Sequence, residues 1–419
     1  MPPFHPFIFM MALASTPSEP CAGPLSRETV ITCAASSSPR VAADQARVAS
    51  ARGDADAARV ILPSNPTVSV TVGQRWNTSN DRAINVAGTL SQRLEIGGQR
   101  RQRKAIATAH VASREGGLER TTRNVIAQAL LAYYDVLAAR AELIVISQGH
   151  GTALQLQEVA RAREKAGLGM PLDADLAAAE VAALQEHLAL AHGAARVAEA
   201  QLASALGLDP MAPLPEVVGP LAPVPVPTGL RSSAEAANSR PELAQRRAQA
   251  KEAQAEFSLL KRARVPSPAL SLFAQTDGFN ERVIGGGLSM PIPLPFPLGR
   301  TNKGELHSAQ ARIEEANAHL ASEQRRVRLE ATAAYHDYEA HRVAASAYQP
   351  DAEASARASL DTLASEIQRG TLPVRDALLT QHALLRMLLR AVESKHSLCN
   401  ASVSLSLAAG HPLQEGDPQ

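Results

Sequence analysis

Twelve histidines, three cysteines and 41 acidic residues are the groups in this 419-residue chain that could bind metal or move protons. Their spacing argues against both uses. His187 and His192, like His336 and His341, are five apart, whereas two ligands on one helix face need a separation of three or four. Gly285, Gly286 and Gly287 are followed by strand-like text and no Lys-Ser/Thr pair, so they make no phosphate-binding loop. No H-E-x-x-H, no G-x-S-x-G and no nucleophile with an orienting base is present, so no catalytic, cofactor or metal site is expected and the chain reads as a non-enzyme. Cys21, Cys33 and Cys399 are too few for a disulfide framework or a zinc site. They read as idle or buried thiols, with a Cys33–Cys399 bridge as the alternative.

Charge narrows the partners. With 42 Lys+Arg against 41 Asp+Glu, the net charge of +1 supplies no global field for a polyanion. The densest basic run, Arg100, Arg101, Arg103 and Lys104, lacks interleaved aromatics, so no nucleic acid is expected. It reads as a solvated helix start or as a contact to lipid phosphates, and Arg300 and Lys303 occupy a similar place later in the chain.

The spacing that stands out lies in two short turns. Gly167, Leu168, Gly169, Met170 and Pro171 interrupt one helical text, and Gly370, Thr371, Leu372 and Pro373 interrupt another. Glycine supplies a left-handed helix cap and proline opens the next helix, so each turn is a sharp reversal between antiparallel helices. Asp173 and Asp175 follow the first turn, Arg375 and Asp376 the second. The acids either complement a helix dipole or form a charged constriction in an assembly that repeats them.

The elements that position these turns occur twice. Shifting the chain by 202 residues brings Pro39 onto Pro241, Pro66 onto Pro268, Tyr133 onto Tyr335, Asp135 onto Asp337, Arg140 onto Arg342 and Pro171 onto Pro373. This predicts two copies, 25–210 and 231–412, a linker at 211–230 within the seven-proline stretch Pro210–Pro227, and a tail at 413–419. Residues 1–24 read as a signal-like or disordered N-terminus: an apolar run spans Phe7 to Ala14, with no Lys or Arg before Arg27.

Each copy opens with a helix, Val41 to Leu62 or Pro241 to Arg264. A strand pair follows, at about 67–94 and about 269–294. In the first, Val68, Val70 and Val72 alternate with Ser69 and Thr71, and Ile84, Val86 and Leu90 with Asn85, Thr89 and Ser91. Trp76, Phe273, Phe279 and Phe296 are the aromatics in or beside these strands. A long helix comes next, Gln99 to about Ala166 and about Arg300 to Arg369, about 100 Å if unbroken. Gly149-His150-Gly151 interrupts the first, as a kink or a register change. After each turn a return helix closes the hairpin, giving helical hairpins at about 99–206 and 300–408. The fold class is mainly α with a small β part, a tandem structural repeat. No stretch approaches the ~18 apolar residues of a spanning helix. Four strands cannot close a barrel, but three chains supply twelve, which favours a trimer with strands in lipid.

At this point the chain resembles the TolC-like outer-membrane efflux channels, in particular the heavy-metal-efflux branch with CzcC-like and CusC-like proteins. The resemblance covers residues 25 to 412 and rests on LPSNPTVSV, LSQRLEIGGQRRQRKAIA, REKAGLGMPLDADLAAAE, LASALGLDP, NSRPELAQRRAQAKEAQ, GGGLSMPIPL and RGTLPVRDALLTQ in that order. It implies a homotrimer in the outer membrane of a Gram-negative-type bacterium, with a twelve-stranded barrel and a periplasmic helical barrel. It implies passive export of metal ions or small toxic compounds, no cofactor, and two partners: a periplasmic adaptor and an inner-membrane pump. The turns at Gly167–Pro171 and Gly370–Pro373 would be adaptor contacts, and Asp173, Asp175, Arg375 and Asp376 would form the gate. A second reading is a soluble elongated coiled-coil scaffold or adaptor-like protein, which predicts one central hairpin where this chain has two.

Overall fold

The computed structural model describes residues 21–76, 78–226, 240–276, 278, 281–292 and 302–411. The signal-like run at Phe7–Ala14, the tail, Phe279, Phe296 and Arg300, and the parts of the linker and second strand pair that fall on 227–239 and 293–301, lie outside these. In chain order come α1 (Arg27–Ser37), α2 (Pro39–Arg59), β1 (Thr67–Trp76), β2 (Arg82–Arg93), α3 (Gln99–Lys165) and α4 (Pro171–Ala205). Then follow α5 (Pro241–Arg262), β3 (Ala269–Thr276), β4 (Arg282–Ser289), α6 (Lys303–Ala345), α7 (Pro350–Gln368) and α8 (Val374–Ala409).

Four departures from the sequence expectations have physical causes. Helix α1 stands apart from α2, set off by a Ser26 capping box at one end and Ser38 in extended conformation at the other. The second long helix is two: Tyr348-Gln349 break it because Pro350 has no amide for an interior turn and opens α7 instead. Helix α3 runs without interruption through Gly149, His150 and Gly151, where the sequence suggested a break. A Cβ at Gly149 would lie 2.6 Å from Leu385 Cδ1, so this glycine lets α8 pack against α3. Finally, the disulfide joins Cys21 to Cys33, and Cys399 is a free buried thiol. The idle-thiol reading is thereby corrected for Cys21 and Cys33 and holds only for Cys399, and the alternative Cys33–Cys399 bridge is corrected too.

The described residues fall into two compact units, and neither coincides with a sequence copy. Unit 1 takes those of Met1–Ala42, Thr121–Ala237 and Leu329–Gln419; unit 2 takes Ala43–Arg120 and Asn238–Arg328.

In unit 1, α3, α4, α7 and α8 bury a shared core that includes Val145, Leu156, Val181, Leu360, Ile367, Leu385 and Leu388. Each fully buried leucine contributes about 1.5–3 kcal/mol relative to exposure. Polar ties fix the register: Gln381 Nε2 donates to the Gly149 carbonyl at 2.8 Å, His396 meets Asp135 at 2.7 Å, and Lys395 meets Glu353 at 2.7 Å. The linker is extended, as its prolines require, and packs down. Leu25 bridges to Val217, while Tyr133 Oη and Arg140 Nη1 donate to the carbonyls of Val218 and Val217 at 2.7 and 3.0 Å. The offset partners of these two side chains do different work, since Tyr335 is half-buried and exposed Arg342 pairs with Glu339 on its own helix.

In unit 2 the four strands form one antiparallel sheet in the order β1-β2-β3-β4. Val86↔Thr276 through Arg93↔Ala269 join the two hairpins. The register puts Val68, Val70, Val72, Ile84, Val86, Leu90, Leu272, Ile284 and Leu288 on one face. Ser69, Thr71, Asn85, Thr89, Ser271 and Gln275 share the other. The apolar face is uncovered, with Val68 73% and Ile284 85% exposed. No described helix is long and apolar enough to cross a membrane.

Candidate functional site

The two hairpin turns close by the same backbone device. At the end of α3, Gly167 adopts φ +69°, and the amides of Gly167 and Leu168 donate back to Glu164 O at 2.9 Å and Arg163 O at 2.8 Å. At the end of α7, Gly370 adopts φ +76°, and Gly370 and Thr371 donate to Ile367 O at 3.0 Å and Glu366 O at 3.1 Å. This paired pattern, one bond spanning five residues and one spanning three, is the Schellman cap, which needs a left-handed residue and so favours glycine. Met170 then caps α4 with Pro171 at its first position, whereas Pro373 itself caps α8.

Side chains at the turns divide into anchors and exposed groups. Leu372 is half-buried against the unit 1 core, where Ala174, Ile367, Val374 and Ala377 are buried. Leu168 and Met170 are 71% and 60% exposed, and Leu172, Leu176 and Leu379 are also exposed. Gly169 lies so close to the end of α3 that a Cβ would be 3.2 Å from Arg163 Cβ. Thr371 Oγ1 donates to Glu366 Oε2 at 2.6 Å, and Arg369 pairs with Glu366 at 3.0 Å.

Arg163, which the turn motifs did not single out, links the two turns. Its Nη1 donates to Ile367 O at 3.2 Å and its Nη2 to Leu168 O at 3.4 Å. The only sequence hint is a basic residue in the last turn of a helix, where the carbonyls lack partners. Asp173 is half-buried, while Asp175, Arg375 and Asp376 are exposed, and among the described residues none of the four makes an ion pair. The structure therefore brings the turns together without joining these charges.

This chemistry suits docking and passage. Among the described residues no group of three or more His, Cys, Asp or Glu is placed to hold a metal ion. The histidines of α8 meet carboxylates, His382 with Glu180 at 3.2 Å and His396 with Asp135 at 2.7 Å. Burial pushes the Cys399 thiol up to about 12, which keeps it protonated and unreactive at neutral pH.

Comparison with known proteins agrees with this layout. The outer membrane efflux protein family matches residues 30–208 and 233–411. The outer membrane efflux protein BepC of Brucella suis biovar 1 is 26% identical over 333 residues, 77% of this chain and 71% of that protein. Among solved structures, CusC superposes with a TM-score of 0.77 at 16% identity, covering 92% of both chains. VceC of Vibrio cholerae gives 0.74 at 17% identity, covering 93% of this chain and 97% of its own. The open state of the MtrE outer membrane channel of Neisseria gonorrhoeae gives 0.75 at 18% identity, covering 93% and 89%. These structures carry the fold, and the family match carries the function, a transport conduit in place of the scaffold reading. With paired helical hairpins, a four-stranded sheet of one apolar face and a match over nearly its whole length, the chain belongs to the outer membrane efflux protein family and is an outer-membrane efflux channel component with its helices in the periplasm.

Proposed function

We propose that three copies of this chain, each a duplicated unit, close a twelve-stranded barrel continued by a helical conduit, and that the hairpin turns dock a periplasmic adaptor serving an inner-membrane pump. The observation that carries this reading is the sheet. Its apolar face is uncovered, and β1 and β4 each pair on one side only among the described residues. Open edges are not tolerated in hydrocarbon, because each unpaired amide or carbonyl there costs several kcal/mol. Pairing β4 of one copy with β1 of the next removes every edge, and three copies give a closed ring. The polar face then lines the lumen.

In this arrangement the exposed Leu168 and Met170 are apolar contacts for adaptor helices, and Gly167, Gly169, Gly370, Thr371 and the prolines keep the surface low enough for close approach. Asp173, Asp175, Arg375 and Asp376, repeated threefold, form charged rings that favour cations and gate the tip. Conduction is passive. The cargo is metal ions or small toxic compounds delivered by the pump, so selectivity resides upstream.

The test is the mass of the detergent-purified protein, an unboiled-against-boiled gel, and bilayer conductance on the same sample. A heat-dissociable trimer with small, mostly closed conductance is expected. A monomer or dimer that never conducts would overturn the trimeric channel.

A further inference from the structure

Unit 2 contains a concave surface with a different chemistry. Between the first turns of α3 and the N-terminal half of α5 runs a groove of about 660 Å3. Its floor is alanine from both helices, Ala105, Ala109 and Ala112 facing Ala244 and Ala248. Its rims are Arg101 and Lys104 on α3 and Arg247 and Lys251 on α5, with no carboxylate in the lining. In a chain of 42 basic and 41 acidic residues that is a local segregation of charge. Two nearby carboxylates are engaged elsewhere, Glu252 with His110 at 3.0 Å and Glu115 with Arg52 at 2.8 Å. Arg101, Lys104 and Lys251 make no ion pair among the described residues. These three cations, gathered without counter-charge, repel one another, and an anion between them removes that cost.

The depth of the groove indicates which anion. An exposed apolar residue marks each described passage between strand and helix: Ile61 before β1, Ile96 between β2 and α3, Val265 between α5 and β3, and Ile292 after β4. Arg101 follows on the first turn of α3 and Lys104 about one turn later. An apolar strand face, then exposed apolar junctions, then cations on the first helical turns is the order that a bilayer leaflet imposes: hydrocarbon, boundary, phosphate.

We infer that the α3–α5 groove of unit 2 seats the phosphodiester headgroup of an anionic phospholipid from the leaflet at the helical end of the sheet. The phosphate sits between Arg101 and Lys104, within the field of Lys251, and the headgroup lies over the alanine floor. The inference rests on the outer-membrane channel reading, and the assay separates the two.

The experiment uses the full chain in detergent, delipidated and then titrated with phosphatidylglycerol, phosphatidylcholine or inorganic phosphate. Bound lipid is read by native mass spectrometry, and insertion and conductance are measured separately in pure phosphatidylcholine bilayers. Phosphatidylglycerol is expected to bind in preference to phosphatidylcholine and to withstand millimolar phosphate. Each neutralised phosphate contact weakens binding about fivefold, so Arg101→Gln with Lys104→Gln loses about thirtyfold, and Arg101→Lys with Lys104→Arg keeps it. Equal retention of the two lipids, displacement by phosphate, or unchanged binding in the double variant would overturn the site. A channel that conducts in phosphatidylcholine yet shows any of these results loses only the lipid site. A chain that binds phosphatidylglycerol in detergent but never conducts loses the channel reading instead.

Discussion

Replacing Arg163 by alanine removes the two hydrogen bonds that tie the end of α3 to the end of α7 and to its own turn, at 3.2 Å to Ile367 O and 3.4 Å to Leu168 O. A well-formed bond from a charged donor contributes about 1.5–3 kcal/mol, but both bonds are long and the side chain is half-exposed, so the pair together is worth about 1 kcal/mol. If those bonds hold the tip as it is seen here, their loss raises the open population about fivefold when each copy moves alone. It rises about a hundredfold when three copies open in concert, because the three contributions then add. Single-channel recording in planar bilayers reads this directly as open probability. Arg163→Lys, which keeps the charge but not the forked geometry, falls in between. A thermal melt controls for general loss of stability. An Arg163→Ala channel with unchanged open probability and an unchanged melt would refute the idea that this side chain holds the turns together.

Other outcomes follow from the same geometry. Gly370→Ala forces a side chain into φ +76° with no neighbour within 4 Å of its Cβ. Its cost is therefore conformational, about 1–2 kcal/mol, read as faster amide exchange confined to the second turn. Cys33→Ser opens a bridge between residues 12 apart, worth about 3 kcal/mol by loop entropy. Amide exchange in α1 should rise about a hundredfold, and equal rates in both proteins would show that the bridge does not hold this segment. Burial pushes the folded pKa of Cys399 from the ordinary thiol value of 9.0 up to about 12. Because the folded value is the higher, the contribution is complete below about pH 9 and is lost between about 9 and 12, at no more than about 1.4 kcal/mol per pH unit. Cys399→Ala should flatten the alkaline unfolding slope, leaving the parts due to buried Tyr133 and Tyr134, whose pKa values burial also raises.

Much of the architecture was legible because it rests on local rules. Alternation of Val68, Ser69, Val70, Thr71 and Val72 specifies a strand with one apolar face, and β1 follows it. Gly167 and Gly370 before a proline specify caps and reversals, and both turns form them. Pro350 was visible as the one proline in the second long helical text, but whether a proline kinks or ends a helix depends on what packs nearby. The candidate turns were legible as turns. Arg163, which links them, was not, because its carbonyl partner lies 204 residues away.

From its sequence alone the chain determines periodicity, punctuation and duplication, since these are set by backbone sterics and by hydrophobic spacing along each segment. Tertiary structure alone decides pairings that depend on distance through space. Nothing local selects Cys21 over Cys399 as the partner of Cys33, places Leu385 against Gly149, or joins β2 to β3 across the intervening helices. The repeat makes the same point. Tyr133 and Tyr335 match in sequence, yet only Tyr133 lies under the linker with its hydroxyl on Val218, because burial depends on which neighbours the whole chain brings to each copy.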